Sequence, residues 1–259
     1  MAKCIFPLFG RHRILKKELL WALRDYSYGF MRLEHEAYAD GILTGLDLRA
    51  EEGALVLGTG MVKYQDSIVL FEKPELVPYA ATDAYVSLKL KMRRDQVAED
   101  FIVYEAAPFL DADLARKPDE LEVCRFKLKA GARLRTRHTD FFDIETEFDT
   151  VNLAEATWAG IDEPSLCPAI TRRFALEAMR CRLTDARDLL FCNLALQTMK
   201  ALHRLTIAEY VRSKLELEED AFSNRLLFEH LGLILRNLRD GTERRPPRRQ
   251  QKKRQIFVD

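Results

Sequence analysis

The sequence predicts an α+β protein: a long N-terminal helix, an antiparallel β-domain, a C-terminal helical domain of about four helices, and a basic, flexible tail. Three observations predict it. Apolar residues near the N-terminus recur at spacings of three and four, the period of a helix. From residue 41 to about 150, short alternating runs are split by turn residues, the mark of strands. From 164 to 239 helical periodicity returns, with prolines and capping residues at its breaks. The chain divides accordingly into 1–40, 41–150, 151–239 and 240–259.

The first element is a helix over Ile14 to Ala39. Leu19, Leu23, Tyr26, Phe30, Leu33 and Ala37 fall 4, 3, 4, 3 and 4 residues apart, the a/d spacing of a helix packed along one seam. The seam runs for about two and a half heptads, short of the three or four that define a coiled coil. Two readings stand: an amphipathic helix lying on its own domain, or a helix bundled with copies of itself through Leu19, Leu23, Tyr26, Phe30 and Leu33. Gly29 inside it costs about 1 kcal/mol against alanine.

Asp40-Gly41 ends the helix, and residues 41–80 read as a β-meander. Turn signals punctuate it at Glu52-Gly53, Gly58-Thr-Gly60, Gln65-Asp66 and Lys73-Pro74, with Gly58-Thr-Gly60 taken as a hairpin turn. Ala84 to Arg93 alternates strictly: Ala84, Val86, Leu88, Leu90 and Met92 on one face, Tyr85, Ser87, Lys89, Lys91 and Arg93 on the other. Phe101–Ala106 and Glu122–Lys129 repeat the pattern, the latter with Cys124, Phe126 and Leu128 inward. Phe142–Phe148 alternates with Asp143, Glu145 and Glu147 on its polar face. Basic strands and an acidic one fit cross-strand pairing. They equally fit a charged sheet face turned toward a neighbour.

Pro164 and Pro168 precede a helix over Ile170–Arg182. Thr184 is placed to cap a second helix, Asp185 to about His203, with Asp185 favourable in its first turn. Ile207–Leu215 is shorter. The last helix spans about Asp220 to Leu238, with Leu227, Leu231, Ile234 and Leu238 in one stripe.

Charge is balanced in sum and uneven in place. The 259 residues hold 41 Lys/Arg and 41 Asp/Glu, which argues against a broadly basic nucleic-acid coat. Residues 240–259, however, carry seven basic and three acidic groups, a net of +4. Arg244, Arg245, Arg248, Arg249, Lys252, Lys253 and Arg254 make this tail a partner-binding arm, with Ile256, Phe257 and Val258 as a small apolar anchor. A nucleic-acid-binding regulator using this arm is the alternative function. No basic recognition helix accompanies it, so nucleic acid is not the favoured partner.

Catalytic motifs are missing. There is no GxxxxGK[ST] phosphate loop, no GxSxG elbow and no HExxH. His35, between Glu34 and Glu36, cannot share a metal with them, because adjacent helical residues point apart. Arg11-His12-Arg13 and Arg135-Thr-Arg137-His138 are small basic clusters of the kind usually solvated. Cys4, Cys124, Cys167, Cys181 and Cys192 lack metal spacing and read as reduced thiols. The expectation is no enzyme and no catalytic, cofactor or metal site. The N-terminus lacks a signal peptide and no stretch is long enough to span a membrane, so folding in the cytosol is expected.

One run has a family likeness. ILKKELLWALRDY, YADGILTGLDL and ALVLGTGMVKYQDSIVLF resemble baseplate and tail-fibre-associated structural proteins of bacteriophages and phage-tail-like contractile particles, over about residues 14–80. RFKLKAGARLRTRHTDFFDIETEFDTVNL and SLCPAITRRFALEAM resemble a group of proteins encoded with such tails. The resemblance implies a structural baseplate-type subunit, a homo-oligomer with a trimer favoured. It would contact other baseplate, tail or fibre proteins, with cytoplasmic assembly into a tail or virion-like particle and no membrane.

Overall fold

The computed structural model describes residues 5–98, 101–219 and 221–241, and the described chain is mixed α/β with antiparallel sheets and five α-helices. The first helix, α1, spans Lys17–Glu34 and is shorter at both ends than its apolar spacing suggests. Lys16 at its N-cap is extended and contributes no side-chain cap, so nothing holds the helix start further back at Ile14. At the other end Tyr38 bridges Ile161, which draws the chain out of the helix.

Six short strands follow: β1 Gly41–Gly45, β2 Leu48–Glu51, β3 Ala54–Leu57, β4 Gly60–Tyr64, β5 Ser67–Phe71 and β6 Glu75–Pro78. They form two three-stranded sheets, β1-β4-β5 and β2-β3-β6. Gly58-Thr-Gly60 is therefore not a hairpin turn. It carries the chain from one sheet to the other, since β3 and β4 pair in different sheets. The glycines are needed at this crossing. Gly45 lies opposite Gly60, and a Cβ on Gly45 (φ +72°) would sit 2.2 Å from Thr59 O.

The third sheet is larger, with β7 Tyr85–Ala98 between β8 Phe101–Asp111 and β9 Glu120–Lys127. Pro108 is tolerated because β8 is an edge strand. The inward residues of β7 and β9 match the alternation: Leu88, Leu90, Cys124 and Phe126 are buried. Ser87 and Lys89, assigned to the outer face, are buried as well: the segment after β8 folds back over Lys89, and Ser87 Oγ donates to Cys124 O of β9 at 3.4 Å.

Phe142–Phe148 is not a strand. Phe142–Glu145 forms a 3-10 turn in which Asp140 Oδ1 accepts from the amides of Phe142 and Asp143. Such local side-chain-to-backbone bonds displace ladder pairing. The three acids still find bases within the chain: Asp143 with Arg135 (2.8 Å), Glu145 with Arg225 (3.0 Å) and Glu147 with Lys127 (3.1 Å). Arg135 is the main reason that the Asp143 carboxyl sits well below the ordinary carboxylate range.

The last four helices are α2 Pro168–Ala178, α3 Ala186–Gln197, α4 Arg204–Leu215 and α5 Asn224–Arg239. Helix α3 ends before His203, whose Nδ1 instead accepts from Leu205 N to cap α4. Asp185, not Thr184, caps α3, accepting from Arg187 N at 2.9 Å. Arg187, then Lys214, hold the Asp185 carboxyl at about 2. A lowered acid pKa gives stability that is full above the ordinary value of 3.8 and lost as pH falls toward about 2. Asp185→Ala should cost about 1 kcal/mol at neutral pH through the lost cap and should flatten that acid decline. Urea unfolding across the acid range reads both.

Two apolar cores result. One joins the sheets through Leu55, Leu57, Val62, Leu90 and Phe126; the other joins the helices through Phe141, Phe174, Phe191, Leu227 and Leu231. Leu153 and Trp158 pack against both.

Candidate interaction surface

Helix α1 has no buried residue. The five seam residues share one face: Leu23, Tyr26, Phe30 and Leu33 are exposed, and Leu19 is half-buried. Tyr26 and Phe30 stack at 6.5 Å with nearly parallel rings. The opposite face is also apolar, with Trp21 47% and Tyr28 76% exposed. The helix leans on β5 but buries little against it. Seam spacing alone does not disclose that second face, although Trp21 and Tyr28 are seven residues apart and hence share a side. Ahead of the helix, Ile5, Phe6, Leu8, Phe9, Ile14 and Leu15 are exposed too.

The base of α1 is fixed although its length is not. His35 is buried, and its Nδ1–H donates to Met31 O at 3.1 Å. Ala39 N donates to Gly160 O and Asp162 N to Ala37 O, both at 2.8 Å. Ile42 exchanges bonds with Thr157 O and Ala159 N, each at 2.9 Å. Lys200 lies over the Tyr38 ring at 4.8 Å. These bonds anchor the helix to the body while leaving its sides uncovered.

Other chemistry-bearing groups turn inward. A crevice of about 540 Å³ between β9 and the helices is lined by Arg116, Glu122, Arg125, Arg204 and Arg212. Arg125 forks onto the buried Glu122, whose carboxyl is raised by burial against the pull of Arg125. Arg204 holds Pro164 O, Asn224 Oδ1 and Phe222 O, and Arg212 holds Glu209 and Glu219 O. The crevice is thus a polar joint between sheet and helices. In the Arg135–His138 cluster, Arg135 is taken up by Asp143, and His138 Nε2 bonds Val151 O at 2.7 Å.

Among the described residues no group of three or more His, Cys, Asp or Glu stands placed to hold a metal ion. Cys124, Cys167, Cys181 and Cys192 are free thiols, and burial pushes Cys167 and Cys192 up to about 12, far from reactive. No helix among the described residues is long and apolar enough to cross a membrane. The tail residues Arg244, Arg245, Arg248, Arg249, Lys252, Lys253 and Arg254 lie outside the described residues.

No family model and no curated protein matches the sequence. Among solved structures, a crystal structure of TssK matches at 12% identity and TM-score 0.39, over 92% of this chain and 72% of that one. The TssK–TssF–TssG baseplate subcomplex of the type VI secretion system, seen by cryo-electron microscopy, matches at 11% and 0.39, over 90% of this chain and 100% of that one. A type VI secretion system baseplate complex matches at 11% and 0.38, over 90% and 70%. Scores at this level transfer neither a fold nor a role to the chain.

Proposed function

We propose that this protein is a structural baseplate-type subunit of a contractile phage tail or tail-like injection particle. It acts through contacts among its own copies, three being the favoured number, and with neighbouring baseplate, tail or fibre proteins. It carries out no reaction of its own. The observation that carries this reading is α1: a helix pinned at its base, with an a/d seam of Leu19, Leu23, Tyr26, Phe30 and Leu33 that is exposed at all but the half-buried Leu19. A monomer gains nothing from holding such a stripe in water, whereas copies packed along it bury about 1.5–3 kcal/mol per large apolar side chain. The resemblance over residues 14–80 supplies the kind of particle.

Sedimentation of the full chain over a wide concentration range tests the seam. A stable oligomer is expected, and Leu23→Asp with Phe30→Asp should turn it into a folded monomer with association at least 100-fold weaker, following the burial lost. A chain that stays monomeric at high concentration and is absent from purified particles would sink the proposal. Salt-sensitive binding to nucleic acid that disappears when Arg244, Arg245, Arg248 and Arg249 are neutralised would favour the regulator instead.

A further inference from the structure

We infer that in the assembled protein residues 5–15 of a neighbouring copy lie along the far face of α1, covering Trp21 and Tyr28; this rests on the self-association proposed above. At about 100° per residue, the seam from Leu19 to Leu33 occupies one arc of the helix, and Trp21 and Tyr28 lie roughly 160–200° from Leu19. Packing along the seam therefore leaves both aromatic rings in water. A helix that is apolar on opposite sides is stable when enclosed. The seam explains one side only.

The occupant of the other side is present in the same chain. Residues 5–15 read IFPLFGRHRIL, and Ile5, Phe6, Leu8, Phe9, Ile14 and Leu15 are all exposed, Phe6 at 82%. Their own chain does not bury them. A turn at Gly10–Arg13, closed by Arg13 N to Gly10 O at 3.3 Å with His12 at φ +64°, precedes the helix without packing them onto it. Extended, these eleven residues reach roughly 35 Å, more than the ~27 Å length of α1. Three copies packed seam to seam about an axis that runs along the helices have parallel helices, so each segment starts near the first turns of its neighbour's α1.

Trp21 is the reporter. The protein has two tryptophans, so the emission of Trp21 is the difference between the chain and its Trp21→Phe variant. Sedimentation on the same samples gives the mass. The expected result is a blue-shifted Trp21, shielded from acrylamide, in the oligomer. Phe6→Asp with Phe9→Asp should return Trp21 to the red while the oligomer persists. An oligomer whose Trp21 stays red-shifted, or stays blue-shifted in the double variant, overturns this inference and leaves the seam standing. A monomer with a shielded Trp21 shows the segment folding onto its own helix and overturns the exchange between copies. A monomer with an exposed Trp21 removes the seam and the inference together.

Discussion

Replacing Lys89 with Met is expected to destabilise the protein by about 3–5 kcal/mol, the usual effect of removing one partner from a buried ion pair. The Lys89 side chain is 0% exposed. Its Nζ donates to Asp111 Oδ2 (2.9 Å), Asp113 O (2.7 Å), Ala115 O (2.6 Å) and Glu120 Oε2 (3.3 Å). Four acceptors surround three protons, so none of the ammonium is left unsatisfied. Burial lowers the Lys89 pKa, but Asp111 and Glu120 more than offset it, and the net shift is upward. Methionine fills similar volume, so the loss is electrostatic rather than a cavity.

The variant should also weaken a pH dependence. In the natural protein burial raises the Glu120 pKa, but Lys117 N and Lys89 outweigh it, and the net shift is downward. Its contribution is therefore full at neutral pH and fades with acid. Without Lys89 the buried carboxylate loses its closest cation while Lys117 N and Lys91 (3.5 Å) remain, so its folded pKa should rise. The penalty should then be largest at neutral pH and shrink below 4.5. Urea midpoints at both pH values read this, and adding Glu120→Gln should restore part of the loss. A uniform loss at all pH values would assign the effect to packing. Limited proteolysis should cut faster within residues 112–119, whose carbonyls at 113 and 115 lose their donor.

Phe174→Ala is the second large effect, again about 3–5 kcal/mol. Phe174 on α2 is 0% exposed and meets the rings of Phe191 on α3 (5.6 Å), Tyr210 on α4 (5.9 Å) and Phe141 (6.1 Å) edge-on. Phe141 in turn stacks on Phe228 of α5 at 4.8 Å. One ring thus connects three helices directly and the fourth through Phe141, so truncation opens a cavity at the centre of the helical core. The melting temperature should fall by roughly 10 °C or more. Phe174→Leu should cost clearly less, because most of the volume stays filled.

Some of this was legible in the sequence and some was not, for reasons of range. β7 and β9 follow from period-2 alternation because each buries a face of Leu88, Leu90, Cys124 or Phe126. Helix α5 follows from its stripe of Leu227, Leu231, Ile234 and Leu238, all buried, while helix ends shift where a local cap wins, as Asp185 does over Thr184 at the start of α3. Alternation puts Lys89 outward. Its burial depends on a loop after Asp111 that returns across the strand, which no local period records. Gly58-Thr-Gly60 looks like a hairpin because its flanks alternate, yet which sheet each flank joins is decided by partners at Thr44 and Val77. The seam residues of α1 were legible as a pattern. That both sides of that helix stand bare depends on how little of it the sheets cover.

The anchoring of α1 has a mechanical consequence. The bonds at its foot, Ala37–Asp162, Ala39–Gly160, Ile42–Thr157 and Ile42–Ala159, all fall on residues 157–162, and Trp158 in that strip touches both apolar cores. The helix is a lever with its pivot at the joint of the body. A pull or twist applied to α1 by a neighbour loads this strip first, in shear across four short hydrogen bonds, two of them on the buried Ile42. The protein should yield there, reorienting its two halves while each stays folded.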